Sequence, residues 1–135
     1  MRVFLDSSVL LAACGSGHGA SREVFRRASK SGWELLATPY VLEEVLANLS
    51  NLPTRATATW AQLRPQLTLM EDVLTLDRVA VFEPAKDRPI LFSALSWAQV
   101  LLTLDRADFG SLLGGTFYGL SIETPGGFLR SQQSV

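Results

Sequence analysis

Cysteine and histidine are scarce in this sequence, with one of each among 135 residues, Cys14 and His18. A lone cysteine excludes an intramolecular disulfide. The scarcity of both residues excludes a zinc site built from them and any catalytic group that needs two histidines. The formal net charge is only −1, so a polyanion would have to be bound through a local basic patch or a metal ion. Chemistry in this chain must therefore rest mainly on carboxylates and hydroxyls.

Long apolar runs are also missing, although 47% of the residues are hydrophobic. Runs such as residues 9–14 are far shorter than the ~20 residues that cross a bilayer, so we expect no transmembrane segment. The first residues enter a strand-like segment with no small-residue cleavage site after it, which argues against a signal peptide and favours a cytoplasmic location. The length and apolar content predict one compact domain that spans residues 1–135.

Strand-like and helix-like segments alternate along the chain. The predicted strands are residues 2–5, 33–37, 73–76, 79–82, 100–104 and 120–122. The predicted helices are residues 9–14, a segment that ends near residue 30, one that begins at Pro39, residues 54–69 with an interruption or bend at Pro65, and one opened by Asp87. This alternation predicts an α/β fold with a central, mainly parallel sheet and helices on both faces.

Two aspartates directly follow predicted strands, Asp6 after the first and Asp105 after residues 100–104. Because the carboxyl ends of parallel strands meet at one edge of a sheet, we expect both carboxylates at that edge. Asp87 and an acid on the helix that begins at Pro39 are predicted to converge on the same cleft. Carboxylates held together repel one another unless cations neutralise them, and Mg²⁺ or Mn²⁺ prefer oxygen ligands. The pattern therefore predicts a divalent-metal site suited to phosphodiester hydrolysis.

Four segments resemble successive blocks of PIN-domain proteins. They are residues 1–10 with Asp6-Ser7-Ser8, residues 38–45 with Thr38-Pro39 and Glu43-Glu44, residues 87–91, and residues 101–109 with Thr103-Leu104-Asp105. The resemblance spans nearly the whole chain and implies a three-layer α/β/α fold. It also implies a Mg²⁺- or Mn²⁺-dependent endoribonuclease that hydrolyses RNA, similar to the toxins of prokaryotic toxin-antitoxin pairs. A homodimer and a small antitoxin partner are implied with it.

The resemblance implies that four acids hold the metal and carry catalysis, namely Asp6, Glu44, Asp87 and Asp105. Ser8 matches a polar neighbour that orients the site. The sequence departs from the family by having Asp6-Ser7-Ser8 in place of the common Asp-Thr-Asn. It also has Leu104 where many relatives carry a glycine before the aspartate.

For several of these site residues, the sequence alone leaves an alternative role open. Asp6 and Asp87 are also typical N-caps of helices, and Asp105 is equally able to cap a turn, in which case Asp108 would be the metal acid. Helical periodicity does not distinguish Glu44 from Glu43, and only the motif position favours Glu44. The alternative function is a catalytically weak PIN-like module that binds RNA or a protein.

A basic helix face is the remaining candidate for RNA contact. Arg22, Arg26 and Lys30 recur every four residues in the predicted second helix, and Arg27 lies beside them. Such a face binds phosphates or is simply solvated.

Overall fold

The computed structural model describes residues 1–74 and 88–133. Its strands are β1 (Arg2–Leu5), β2 (Glu34–Ala37), β3 (Thr68–Leu69), β4 (Val100–Leu102), β5 (Gly115–Phe117) and β6 (Leu120–Glu123). Its helices are α1 (Ser7–Gly15), α2 (Ala20–Ser31), α3 (Pro39–Asn48), α4 (Arg55–Leu63), α5 (Arg88–Trp97), α6 (Arg106–Phe109) and α7 (Pro125–Gln132). The predicted helix-opening Asp87 and the predicted strand 79–82 lie outside the described residues, as does the second half of the predicted strand 73–76.

The described strands form one mixed sheet in the order β3-β2-β1-β4-β6-β5. All neighbours are parallel except β5, which runs antiparallel to β6. The three residues of β4 are all buried, and so are the last three of β1. Since successive side chains of a strand point to opposite faces, both faces of these central strands are covered. The predicted α/β fold with a mainly parallel central sheet is thus confirmed.

The predicted interruption of the segment 54–69 at Pro65 is confirmed, but the segment ends in a strand and not in a helix. Helix α4 ends at Leu63, a 3-10 turn around Pro65 follows, and Thr68 pairs with Leu36 of β2 to begin the edge strand β3. Proline has no N–H to donate to the preceding helical turn, which explains the stop. Two exposed residues become a strand only through this pairing with β2, so local periodicity contains no signal for it.

The carboxyl-terminal part contains strand β5 and helix α7, which the prediction omitted, beside strand β6, which it included. Strands β5 and β6 are joined by Tyr118 and Gly119, both with positive φ, at 50° and 86°. This is the conformation of a tight hairpin turn, here without the usual Asn-Gly pair. Helix α7 begins at Pro125 and packs Phe128 against Trp33, with ring centroids 4.7 Å apart.

The described helices include none that is both long enough and apolar enough to cross a membrane.

Candidate active site

Polar residues line the carboxyl edge of the sheet. Phe4 pairs with Leu36 and Leu5 with Leu102, so continuing the two registers places Asp6 between Thr38 and Thr103. The Asp6 amide donates to the Leu102 carbonyl at 3.2 Å, which extends the sheet by one step. Asp6 is therefore flanked by hydroxyl-bearing residues at the ends of both neighbouring strands.

Asp6 is a strongly constrained acid at this edge. Its residue is only 3% exposed, and its carboxylate accepts four hydrogen bonds. Oδ1 accepts from the Ser8 amide at 2.9 Å, the Val9 amide at 3.3 Å and the Ser8 hydroxyl, while Oδ2 accepts from the Thr103 hydroxyl. Burial raises the pKa of the Asp6 carboxyl, and these donors offset part of that rise because they stabilise the ionised form. The residue caps α1, as its sequence context predicted, but a surface cap would not be buried in this way.

The two hydroxyls that hold Asp6 also accept hydrogen bonds from the loop after β4. The Leu104 amide donates to Ser8 Oγ at 3.0 Å, and the Asp105 amide donates to Thr103 Oγ1 at 3.0 Å. Each hydroxyl thus bridges Asp6 to one of two consecutive backbone amides. Ser8 was predicted as a polar neighbour of the site, but Thr103 was not singled out. The prediction extended the strand to residue 104, whereas β4 ends at Leu102 and Thr103 occupies the position that directly follows it.

Asp105 is therefore three residues beyond β4 rather than next to it. It is half-buried and is the N-cap of α6, where its Oδ1 accepts from the Asp108 amide at 3.0 Å. Its second carboxylate oxygen is not needed for this cap. Asp108, the alternative acid, lies in the first turn of the same short helix and is also half-buried. Hydrogen bonds through Thr103 connect Asp105 to Asp6; the choice between Asp105 and Asp108 as a ligand stays a prediction.

The two glutamates of α3 differ in burial. Glu43 is exposed, whereas Glu44 is half-buried with one carboxylate oxygen shielded from solvent. This fits the assignment of Glu44 to the site, which also stays a prediction. Asp87 lies outside the described residues, so its predicted role rests on the sequence alone.

The chemistry of the donor set fits a hard divalent cation. Asp6 and Asp105 supply carboxylate oxygens, and the Thr103 hydroxyl links the Asp6 carboxylate to the Asp105 backbone amide. A cation near the buried Asp6 would offset the cost of keeping it ionised. Within residues 1–74 and 88–133, no group of three acidic, histidine or cysteine side chains is close enough to hold an ion. An ion held by three such side chains would thus require Asp87, which lies outside the described residues, or a rearrangement of the described acids.

The arginines of the predicted basic face are engaged within the chain. Arg22 donates to the Ala13 carbonyl at 2.8 Å, and Arg26 and Arg27 form ion pairs with Glu23 at 3.1 and 2.8 Å. The two arginines lower the pKa of Glu23, with Arg27 the larger cause. These internal partners compete with any phosphate for the same groups.

No protein-family model and no curated protein matches the chain. Among solved structures, it is similar to VapBC2 from Rickettsia felis, bound to a DNA fragment from their promoter, with 12% identity and a TM-score of 0.63 over 92% of this chain and 98% of that one. It is also similar to PAE2754 from Pyrobaculum aerophilum, with 17% identity and a TM-score of 0.65 over 99% of this chain and 91% of that one. At these identities the likeness establishes the fold.

Proposed function

We propose that this chain, whose fold is similar to that of VapBC2 from Rickettsia felis, is a divalent-metal-dependent endoribonuclease of the toxin-antitoxin type. The observation that carries the proposal is Asp6, a buried carboxylate held by four hydrogen bonds at the carboxyl edge of the sheet. Burying a charge is costly, and a surface helix cap does not require it. Such an arrangement is typical of a functional site, where perturbed carboxyls concentrate.

In this proposal Asp6, Asp87 and Asp105 are the principal metal ligands. A bound Mg²⁺ or Mn²⁺ would supply Lewis-acid stabilisation of charge on the phosphodiester. Asp6 would present oxygens in one fixed orientation, because its two carboxylate oxygens are held by donors from α1 and from Thr103, the residue after β4. Glu44 would approach from α3 and accept a proton from, or orient, the attacking water.

The proposed binding partners of this chain are inferred from the same likeness in fold. VapBC2 is similar to this chain in fold, and we propose a small antitoxin that binds this chain and covers its cleft. A homodimer, an RNA substrate and a cytoplasmic location are further parts of the proposal. All of them can be tested separately from cleavage.

One observation favours a second candidate, a PIN-like module that binds RNA or a protein without cutting RNA. The described residues bring no three potential metal ligands together, and Asp6 and Asp105 both serve as helix caps. A protein that retained these acids for structure alone would have the same hydrogen bonds.

Cleavage of a mixed panel of structured and unstructured RNAs distinguishes the two functions. The purified protein is incubated with EDTA, Mg²⁺ or Mn²⁺, and RNA binding is measured by gel shift in the same buffers. The nuclease proposal expects cutting that requires the ion and stops with EDTA. Binding without cutting in every buffer would instead support the second function.

A further inference from the structure

We propose that Thr103 is a positioning residue that, together with Ser8, sets the placement of Asp105 relative to Asp6. The family resemblance already implies an orienting role for Ser8, whereas the role of Thr103 and the link to Asp105 come from the structure. The inference rests on the proposed function for its consequence, which is metal affinity, but its structural basis is independent of catalysis. Two hydroxyls and two backbone amides join the end of β1 to the loop after β4. We term this set the hydroxyl clamp, and its residues are Ser8, Thr103, Leu104 and Asp105.

Each hydroxyl in the clamp donates one hydrogen bond and accepts another. The Ser8 hydroxyl donates to Asp6 Oδ1 and accepts from the Leu104 amide, and the Thr103 hydroxyl donates to Asp6 Oδ2 and accepts from the Asp105 amide. A hydroxyl has one hydrogen to donate, so donation to the carboxylate fixes its rotor and leaves its lone pairs for the amide. The two oxygens of Asp6 are therefore tied to consecutive residues of one loop.

Through these hydrogen bonds, the position of Asp6 constrains the position of Asp105. Thr103 is fully buried and in register with Asp6, whereas Leu104 is 40% exposed, so the loop leaves the sheet immediately after Thr103. The loop's first two amides are then held by side chains rather than by a neighbouring strand. Without the hydroxyls, these two amides would lose their partners and the Asp105 carboxylate its fixed distance from Asp6.

Thr38 offers a matched control at the other side of Asp6. Like Thr103 it is fully buried and directly follows a parallel strand next to β1. Its hydroxyl, however, has no hydrogen-bond partner among the described residues. Replacing either threonine by valine removes a buried hydroxyl and changes the size of the side chain little. Only the change at Thr103 breaks the clamp.

The experiment compares wild type with Ser8→Ala, Thr103→Val, Thr103→Ser and Thr38→Val. Amide hydrogen exchange at Leu104 and Asp105 is measured in EDTA, and Mn²⁺ affinity is measured by calorimetry on the same proteins. We expect faster exchange at Leu104 in Ser8→Ala and at Asp105 in Thr103→Val. We expect Mn²⁺ to bind about 10- to 100-fold more weakly in both, the usual cost of losing a group that orients a ligand.

The conservative and control variants decide the interpretation. Thr103→Ser keeps the hydroxyl and should retain most of the Mn²⁺ affinity, and Thr38→Val should bind as wild type does. Wild-type affinity and exchange in Thr103→Val would overturn the clamp. Equal losses in Thr38→Val and Thr103→Val would also overturn it, because they would reflect general destabilisation. If wild type binds no Mn²⁺ while the exchange results hold, the proposed function fails and the hydrogen-bonded clamp stands.

Discussion

β1 and β2 are neighbouring parallel strands that both pass directly into a helix, yet the two junctions satisfy their polar atoms in different ways. At the end of β1, Asp6 caps its own helix and accepts four hydrogen bonds. At the end of β2, Thr38 makes no capping bond, and Asp72 instead accepts from the Tyr40 amide of α3 at 3.0 Å. The first junction surrounds a buried ionisable group with donors, and the second leaves a buried neutral hydroxyl without a partner among the described residues.

Under the proposed function, this difference distinguishes a strand end that holds a metal from one that is only structural. A capping residue before a helix is a common local pattern and predicts little about chemistry. Burial of a carboxylate costs free energy that a threonine at the same edge does not incur. The chain incurs that cost next to the loop that carries Asp105. Under the proposed function, metal binding accounts for this buried carboxylate.

Two acids near the β1 junction, Asp105 and Asp108, can be distinguished by substitution. The larger loss of RNA cleavage is expected for Asp105→Asn. Asparagine preserves the cap of α6, since its side-chain oxygen can still accept from the Asp108 amide. Cleavage should nevertheless fall at least about 100-fold, because a lost ligand should cost no less than a lost orienting group. Asp108→Asn, measured beside it, should retain near-normal cleavage; the reverse order would make Asp108 the metal acid.

A smaller effect is expected on α3. Glu44→Gln should lower kcat by about 10- to 100-fold if the residue orients the metal or the attacking water, the usual cost of losing an orienting group. Glu43→Gln is its control, because the Glu43 side chain is exposed. Steady-state kinetics on one cleaved RNA would check this, and equal kcat values for the two variants would remove Glu44 from the site.

Much of the first junction could be predicted from sequence because its signals are local. Asp6-Ser7-Ser8 after an apolar strand predicted both the strand end and the cap, and Thr38-Pro39 predicted the start of α3. Thr103 was missed because threonine is typical of strands, so residues 100–104 were taken as one strand. Only pairing with β1 shows that Thr103 lies beside Asp6.

The missed helix α7 has a different physical reason. It contains the pair Gly126-Gly127, which normally argues against a helix. Thr124 accepts from the Gly127 amide at 3.0 Å, and a Cβ at position 127 would lie 3.1 Å from that hydroxyl and 3.0 Å from Glu123 Oε2. The glycine allows a close cap, which a propensity scale does not record.

The raised pKa of Asp6 predicts a pH dependence that Thr38 does not share. Mn²⁺ should bind more weakly as pH decreases through that pKa, because the proton and the cation compete for the Asp6 carboxylate. Stability in EDTA should change in the opposite sense. The folded state binds the Asp6 proton more tightly than the unfolded chain, so the free energy of unfolding decreases as pH rises through the raised pKa.

Urea unfolding in EDTA across pH checks this sign. Asp6→Asn should lose this contribution and unfold at a higher urea concentration than wild type at neutral pH. A lower midpoint for the variant would mean that the ionised carboxylate stabilises the fold, contrary to the direction of the pKa change.

The smallest effect is expected at the β2 junction. Thr38→Val removes a buried hydroxyl that lacks a partner among the described residues, and burying such a group costs about 1–3 kcal/mol in proteins. The variant should therefore be as stable as wild type or more stable, by up to about that amount. Clear destabilisation in urea would show that the Thr38 hydroxyl has a structural partner.

The most direct test of the central claim is RNA cleavage in Mn²⁺ by Asp6→Asn and Thr38→Val, purified in parallel with wild type. Both changes alter one buried polar residue at the same edge of the sheet, and circular dichroism confirms that each variant is folded. We predict that cleavage is abolished in Asp6→Asn and unchanged in Thr38→Val. Equal cleavage by Asp6→Asn and wild type would contradict the assignment of this strand end as the active site.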